Sequence, residues 1–156
     1  MKRLHGLALA LSFLGGAVMS HQGATGIVLE RMEAMTSLSD AMKVIVPMAR
    51  GAAPFDADAL ALAANNVAEI GAQMPMQFPE GTGGHPSMAA PAVWEDRAGF
   101  DRQAGFLTER AARLAEVAAL VEDVQTEVDG DSVTSLVQDI GGTCAACHRG
   151  YRIPDE

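Results

Sequence analysis

The 156-residue chain carries 20 acidic against 11 basic side chains, for a formal net charge of -9. That balance argues against nucleic acid, whose binding rests on neutralising phosphates, and against adhesion to an anionic membrane surface. Aromatic residues make up only 4% of the chain, alanine and methionine are abundant, and no repeat of solenoid length is present, so one small helical domain is expected.

Met1-Lys2-Arg3 is a short basic start, Leu7 to Val18 is a mostly apolar run, and Ser20 is a small residue that permits cleavage before His21. The run is short for a bilayer span. Residues 1–20 are therefore expected to be a secretory signal peptide and residues 21–156 the mature domain; the alternative is an uncleaved anchor. Export to the periplasm would place the cysteines in an oxidising compartment, with no stable membrane insertion after cleavage. Loss of Lys2 and Arg3 takes the basic count from 11 to 9 and the charge from -9 to -11.

The spacing predicts a first helix from Ala24 to Val46, stopped by Pro47, which lacks an amide and constrains its predecessor. Its seam reads Val28, Arg31, Met35, Leu38, Met42 and Ile45, in steps of three and four, as in a helix facing neighbours in a bundle. Arg31 is the exception in that seam. A buried guanidinium needs an anionic partner or solvent.

Asp56 is a cap for a second helix from Ala57 to Met74, with Leu60, Ala63, Val67, Ile70 and Met74 on one face and Pro75 as its stop. Met76 through Pro91 is Gly/Pro-rich and aperiodic. A connection of that length in a small domain often binds or covers something. Phe78 and Trp94 are expected to pack it onto the bundle, and His85, between Gly84 and Pro86, is expected to face solvent.

A third helix begins near Trp94 or Glu95, with Phe100, Leu107, Leu114, Val121 and Val128 recurring every seven residues. Unbroken, it would run for about 33 residues and about 50 Å, with a bend or fraying toward its end. Asp129-Gly130-Asp131 supplies a stop and a new start. The fourth helix carries Val133, Val137, Ile140, Cys144, Cys147 and Tyr151 on one seam. These elements give an all-α chain.

Cys144-Ala145-Ala146-Cys147-His148 contains both cysteines. On a helix the two thiols share a face, with the histidine four residues from Cys144. This spacing is that of c-type haem attachment, in which two thioethers hold a porphyrin while the imidazole rises toward its iron. A structural zinc site would need a fourth ligand, for which the mature chain offers only His21 or His85. A thioredoxin-like dithiol would need a preceding buried strand, and none is evident. A disulfide across a two-residue gap in a helix would be strained. Gly141-Gly142, each costly by roughly 1 kcal/mol in a helix interior, would make room for a flat macrocycle, so haem insertion and folding are expected to be coupled. No nucleophile–base pair or paired acid–base carboxylates converge, so an enzyme is not expected.

The mature sequence resembles the four-helix cytochromes c-prime and cytochromes c-556. The resemblance rests on Arg31-Met32-Glu33-Ala34-Met35, on Gly51 through Asp56, on Phe78-Pro79-Glu80-Gly81, on Ala92-Val93-Trp94-Glu95 and on Gly141 through Arg152. It implies an antiparallel four-helix bundle with one covalent haem c near the C-terminus. Cys144 and Cys147 would form the thioethers, His148 would be the proximal ligand, and Arg31 would meet a haem propionate. Arg152 matches a basic position near the proximal face, with capping of the last helical carbonyls as the alternative.

Met35 matches the distal position. As a sixth ligand it would give a low-spin electron carrier working with periplasmic redox proteins. Merely packed, as a core methionine can be, it would leave a face for nitric oxide or carbon monoxide; Met32, Met42 and His85 are the other candidate ligands. The sequence expectation is electron transfer with His148/Met35 ligation, the alternatives being a gas-binding haem and a structural four-helix adaptor without redox turnover. A homodimer through the first two helices is also implied by the resemblance.

Overall fold

The computed structural model describes residues 23–154; the expected leader, residues 1–20, and His21 lie outside them. The chain forms α1 (Gly26–Ala49), α2 (Ala57–Gln73), a short α3 (Ala92–Glu95), α4 (Arg97–Ala118) and α5 (Val133–Tyr151), with a 3₁₀ turn at Met74–Gln77. The fold is all-α, with α1, α2, α4 and α5 as a bundle. No helix among the described residues is long and apolar enough to cross a membrane.

Local chemistry sets each boundary. Pro47 does not stop α1, contrary to its placement in the sequence, because it sits in the last turn and costs only its own amide bond. Its carbonyl accepts from Ala52 and Ala53 (2.8 and 3.1 Å), and Gly51, at φ +67°, turns the chain away. Asp56 caps α2 by accepting from the Ala59 amide at 3.0 Å. Pro75 does end α2, and a 3₁₀ turn carries the chain on through it.

The third long helix is shorter than its heptads suggest. A separate turn holds Trp94, Asp96 caps α4 through the Gly99 amide (3.1 Å), and α4 ends at Ala118. Beyond it Val121 stays buried and Val124 packs on the core from an irregular segment, so the apolar period outlasts the helix. Past the helix end Asp123 turns the chain by accepting from the amides of Gln125 and Thr126 (2.8 and 2.9 Å). The cap of α5 is Ser132, in a reciprocal pair with Ser135, while Asp131 receives Arg113 instead (2.8 Å).

Neighbouring long helices run antiparallel: Arg97 at the start of α4 reaches the carbonyls of Pro75 and Phe78 just past α2 (2.6 and 3.0 Å). At the other end of the bundle Thr134 in α5 donates to the Ala49 carbonyl of α1 (3.3 Å). The most extensive packing is α2 on α4. Gly71 permits it, since a Cβ there would lie 2.7 Å from the Thr108 hydroxyl and 3.2 Å from its amide nitrogen. Ile45, Leu60, Leu114, Val117, Val133 and Ile140 fill one end of the bundle and are fully buried. Such side chains contribute about 1.5–3 kcal/mol each. At the other end the N-terminal half of α1 and the last turns of α5 border a cavity.

Candidate cofactor-binding cavity

The unfilled end is a cavity of about 470 Å³, within the range of small-molecule and cofactor sites. One wall is the N-terminal half of α1; the others are the first turns of α4, the last turns of α5 and the connection between α2 and α3. The seam of α1 points inward because its period of three and four leaves Val28, Arg31, Met35, Leu38 and Met42 on one face. The lining is dominated by apolar atoms, five of its side chains being methionine thioethers.

On the α5 wall the cavity is met by Cys144, Cys147, His148 and Arg152, and on the α1 wall by Met35 and Arg31. All six residues singled out in the sequence therefore line one space, as do Met32 and Met42. His85 does not; it is exposed on the connection. Cys144 and Cys147 are half-buried free thiols against the core, and burial pushes both thiols up from their ordinary value, with Cys144 adding repulsion at Cys147. They are thus neutral thiols at physiological pH. His148, one residue on, is exposed on the helix and still reaches the cavity edge.

Arg31 is 4% exposed and has no carboxylate partner among the described residues. Its charge is met by oxygen atoms of the connection: Nε donates to the Gln77 carbonyl, Nη1 to the Thr82 carbonyl (3.0 Å) and Ser87 hydroxyl (3.4 Å), and Nη2 to the Thr82 hydroxyl. Its guanidinium also lies over Phe78, 4.3 Å from the ring centroid. Four of five N–H donors are used, leaving one on Nη2 beside the cavity. Desolvation lowers the Arg31 pKa, which still leaves a guanidinium charged.

The connection is tied down at several points, as its aromatics suggested. The Trp94 indole donates to the Phe78 and Pro79 carbonyls (3.2 and 3.0 Å). Phe78, Phe100 and Tyr151 stack edge to face along one side of the cavity. The Ala90 amide donates to the Tyr151 carbonyl and the Ile153 amide to the Met88 carbonyl (2.9 and 2.8 Å), fastening the connection to the end of α5. The Tyr151 hydroxyl donates to Asp96 at 2.8 Å, which holds that carboxyl below its ordinary value; the Gly99 amide lowers it further. Arg152 is the C-cap of α5, where its backbone amide donates to the His148 carbonyl (3.2 Å).

One expectation fails here. Gly141 and Gly142 do not face the cavity; both are exposed, with nothing within 4 Å of where a Cβ would stand. The space lies between α1 and the other walls, away from these glycines. Sequence reasoning also passed over Gln103 and Thr143, which line the cavity as well. Their spacing could have revealed them: Thr143 is three residues after Ile140 and four before Cys147, and Gln103 stands three after Phe100 and four before Leu107.

The donor set and the space fit a haem. Two neutral thiols on one helix face, an adjacent imidazole and a largely apolar chamber with one spare guanidinium N–H answer, respectively, to vinyl groups, iron, the macrocycle and a carboxylate. The two cysteines are consistent with the haem c attachment motif. No group of three or more histidine, cysteine or acidic side chains is arranged to hold a bare metal ion among the described residues.

Comparison with known proteins gives the same grouping. Residues 26–152 match the family model described as Cytochrome C'. A cytochrome c-556 of Agrobacterium tumefaciens (strain II Chrys) is 33% identical over 131 residues, 82% of this chain and 98% of that one. A cytochrome c' of Pararhodospirillum photometricum is 32% identical over 123 residues, 78% of this chain and 92% of that one. Among solved structures, the nitric oxide complex of a mutant cytochrome c prime from Alcaligenes xylosoxidans superposes with a TM-score of 0.70 at 26% identity, covering 83% of this chain and 94% of that one.

Proposed function

The chain belongs to the cytochrome c' family, and from that premise we propose that it is a periplasmic c-type haem protein that binds a small diatomic gas such as nitric oxide. The observation that carries this reading is the cavity itself: thiols and imidazole on the α5 wall face an α1 wall whose seam is hydrocarbon and thioether, with Arg31 at one edge. Likeness to a nitric oxide complex supports gas binding over the electron carrier expected from sequence.

In this proposal Cys144 and Cys147 would hold one haem c through thioether links to its vinyl groups, and His148 would ligate its iron. Bound there, the haem supplies an iron with a further coordination position and a one-electron couple. Met35, Leu38 and Val28 crowd the α1 side and exclude water. Arg31 gives its remaining N–H to a propionate, and Arg152 places a second positive charge near His148. Export of the cysteines to the periplasm agrees with the leader read from residues 1–20.

A second reading, electron transfer with Met35 as sixth ligand, is favoured by the similarity to cytochrome c-556 and by Met35's place on the cavity wall. Intact mass should first show one haem retained through acid–acetone extraction, and lost from the Cys144→Ala/Cys147→Ala double variant. Spectra then decide. Gas binding expects high-spin haem in both oxidation states and carbon monoxide binding that Met35→Ala changes little. Low-spin spectra that turn high-spin in Met35→Ala would install the electron carrier instead.

A further inference from the structure

A second, smaller cavity of about 280 Å³ lies between α4 and α5, opening to solvent. It shares two lining residues with the large cavity, Gln103 and Thr143. These two uncharged side chains border both spaces. Thr143 is 5% exposed, and its hydroxyl donates back to the Asp139 carbonyl (2.8 Å) while accepting from Arg110 Nη1 (2.6 Å). Arg110 belongs to the outer groove only, with its guanidinium 5.1 Å from the Phe106 ring and no ion pair among the described residues. Its one hydrogen bond among the described residues is the one to Thr143. Gly142, exposed on α5, leaves the groove floor open.

We propose that this groove is a second mouth of the cavity, that Arg110 latches it shut through Thr143, and that small neutral molecules enter there. The inference rests on the gas-binding reading and adds its route. Neutral ligands are favoured because the mouth carries charges of both signs, Arg110 and Asp139, while the chamber behind is largely apolar. An anion would pass the Asp139 carboxylate and shed its water to enter a largely apolar chamber.

Two variants act on the route at residues that do not themselves line the large cavity. Arg110→Ala removes the latch. Gly142→Leu fills the groove; its Cβ meets nothing within 4 Å, and leucine favours helix. Both are made in the holoprotein on a Met35→Ala background, where Met35 cannot limit the rate, and carbon monoxide binding to the ferrous form is followed after flash photolysis. Arg110→Ala should speed entry about fivefold, the population change expected from losing one ordinary hydrogen bond, and Gly142→Leu should slow it by a similar factor. Rates unchanged in both overturn the route. If carbon monoxide binds only after Met35→Ala, the gas-binding function fails, while the two variants still decide the route. Xenon-pressurised crystals give a readout independent of iron: xenon in the groove of the wild type that disappears in Gly142→Leu is expected, and its absence from the wild type, or persistence in Gly142→Leu, counts against the proposal.

Discussion

The same four helices are packed solid at one end and held apart at the other. Where α1 ends and α5 begins, Ile45, Leu60, Leu114, Val117 and Val133 close on one another with no exposure. Where α1 begins and α5 ends, larger side chains line a chamber of about 470 Å³. The difference lies in what substitutes for burial. The open end is held by polar ties: Arg31 to the connection, Arg97 to the Pro75 and Phe78 carbonyls, and the connection to residues 151–153. Apolar burial carries one end, and directional hydrogen bonds shape the other around the space that the proposed haem would take.

The largest test of that contrast is truncation on either side. Leu114→Ala leaves a void that tightly packed neighbours cannot close, and should cost about 3–5 kcal/mol in chemical denaturation. Leu38→Ala removes the same atoms from a half-buried residue that packs on the core and borders the chamber, and should cost about 2 kcal/mol, the low end for such truncations. Equal losses would mean that the chamber collapses in solution and that the two ends are not different in kind.

This contrast also marks what the sequence could convey. Periodicity located the long helices and the inward seam of α1, because burial requires apolar residues to recur with the helical turn. The attachment motif and the odd placement of Arg31 pointed to the α5 and α1 walls before any coordinates. The end of α4 was hidden because Val121 and Val124 keep the period after the helix has stopped, while the chain turns at Asp123. Arg31's partners were hidden for another reason: they are mainly carbonyls and hydroxyls of residues 77–87, brought near by tertiary folding, and such acceptors leave no pattern. The cavity itself lies between α1, the last turns of α5 and the connection, and so depends on packing at a distance and not on Gly141-Gly142.

Arg31 is the next way to test the difference, with a smaller effect. Arg31→Leu removes a buried cation but strands the Gln77 and Thr82 carbonyls, and should cost about 2–3 kcal/mol. The loss should be local, so hydrogen exchange of amides in residues 77–87 should accelerate while amides around Leu114 stay protected. Arg31→Lys should recover less than half, because an ammonium cannot span the Gln77, Thr82 and Ser87 oxygens as the planar fork does. Uniform loss of protection across both ends would show that the connection is held by the core and not by Arg31.

The smallest effect should be the most specific, because it is read from pH. The Tyr151–Asp96 hydrogen bond joins the end of α5 to the cap of α4 at the open end. It lowers the Asp96 carboxyl from an ordinary 3.8, while burial and then Asp96 raise the Tyr151 phenol from an ordinary 10.0. For the carboxyl, folded below unfolded, the stabilisation is present above pH 3.8 and is lost as pH falls through the lower folded value. For the phenol, folded above unfolded, it is present below pH 10.0 and is lost as pH rises through the higher folded value. Denaturation midpoints should therefore hold a plateau between these limits and fall at both edges. Asp96→Asn keeps one oxygen for the Gly99 amide and sets an NH2 against the Tyr151 hydroxyl, which can turn to accept from it, so it should remove its share of the acid-side fall with a smaller loss at neutral pH. Tyr151→Phe should remove the phenol's share of the alkaline fall and leave Asp96 its amide partner. Arg113 offers the control at the solid end, where its ion pairs reach Glu116, Asp129 and Asp131 on largely exposed carboxylates that water can replace. Asp131→Asn should leave both edges of the profile in place; if it reshapes them as Asp96→Asn does, the pH dependence belongs to the surface as a whole and not to the polar ties of the open end.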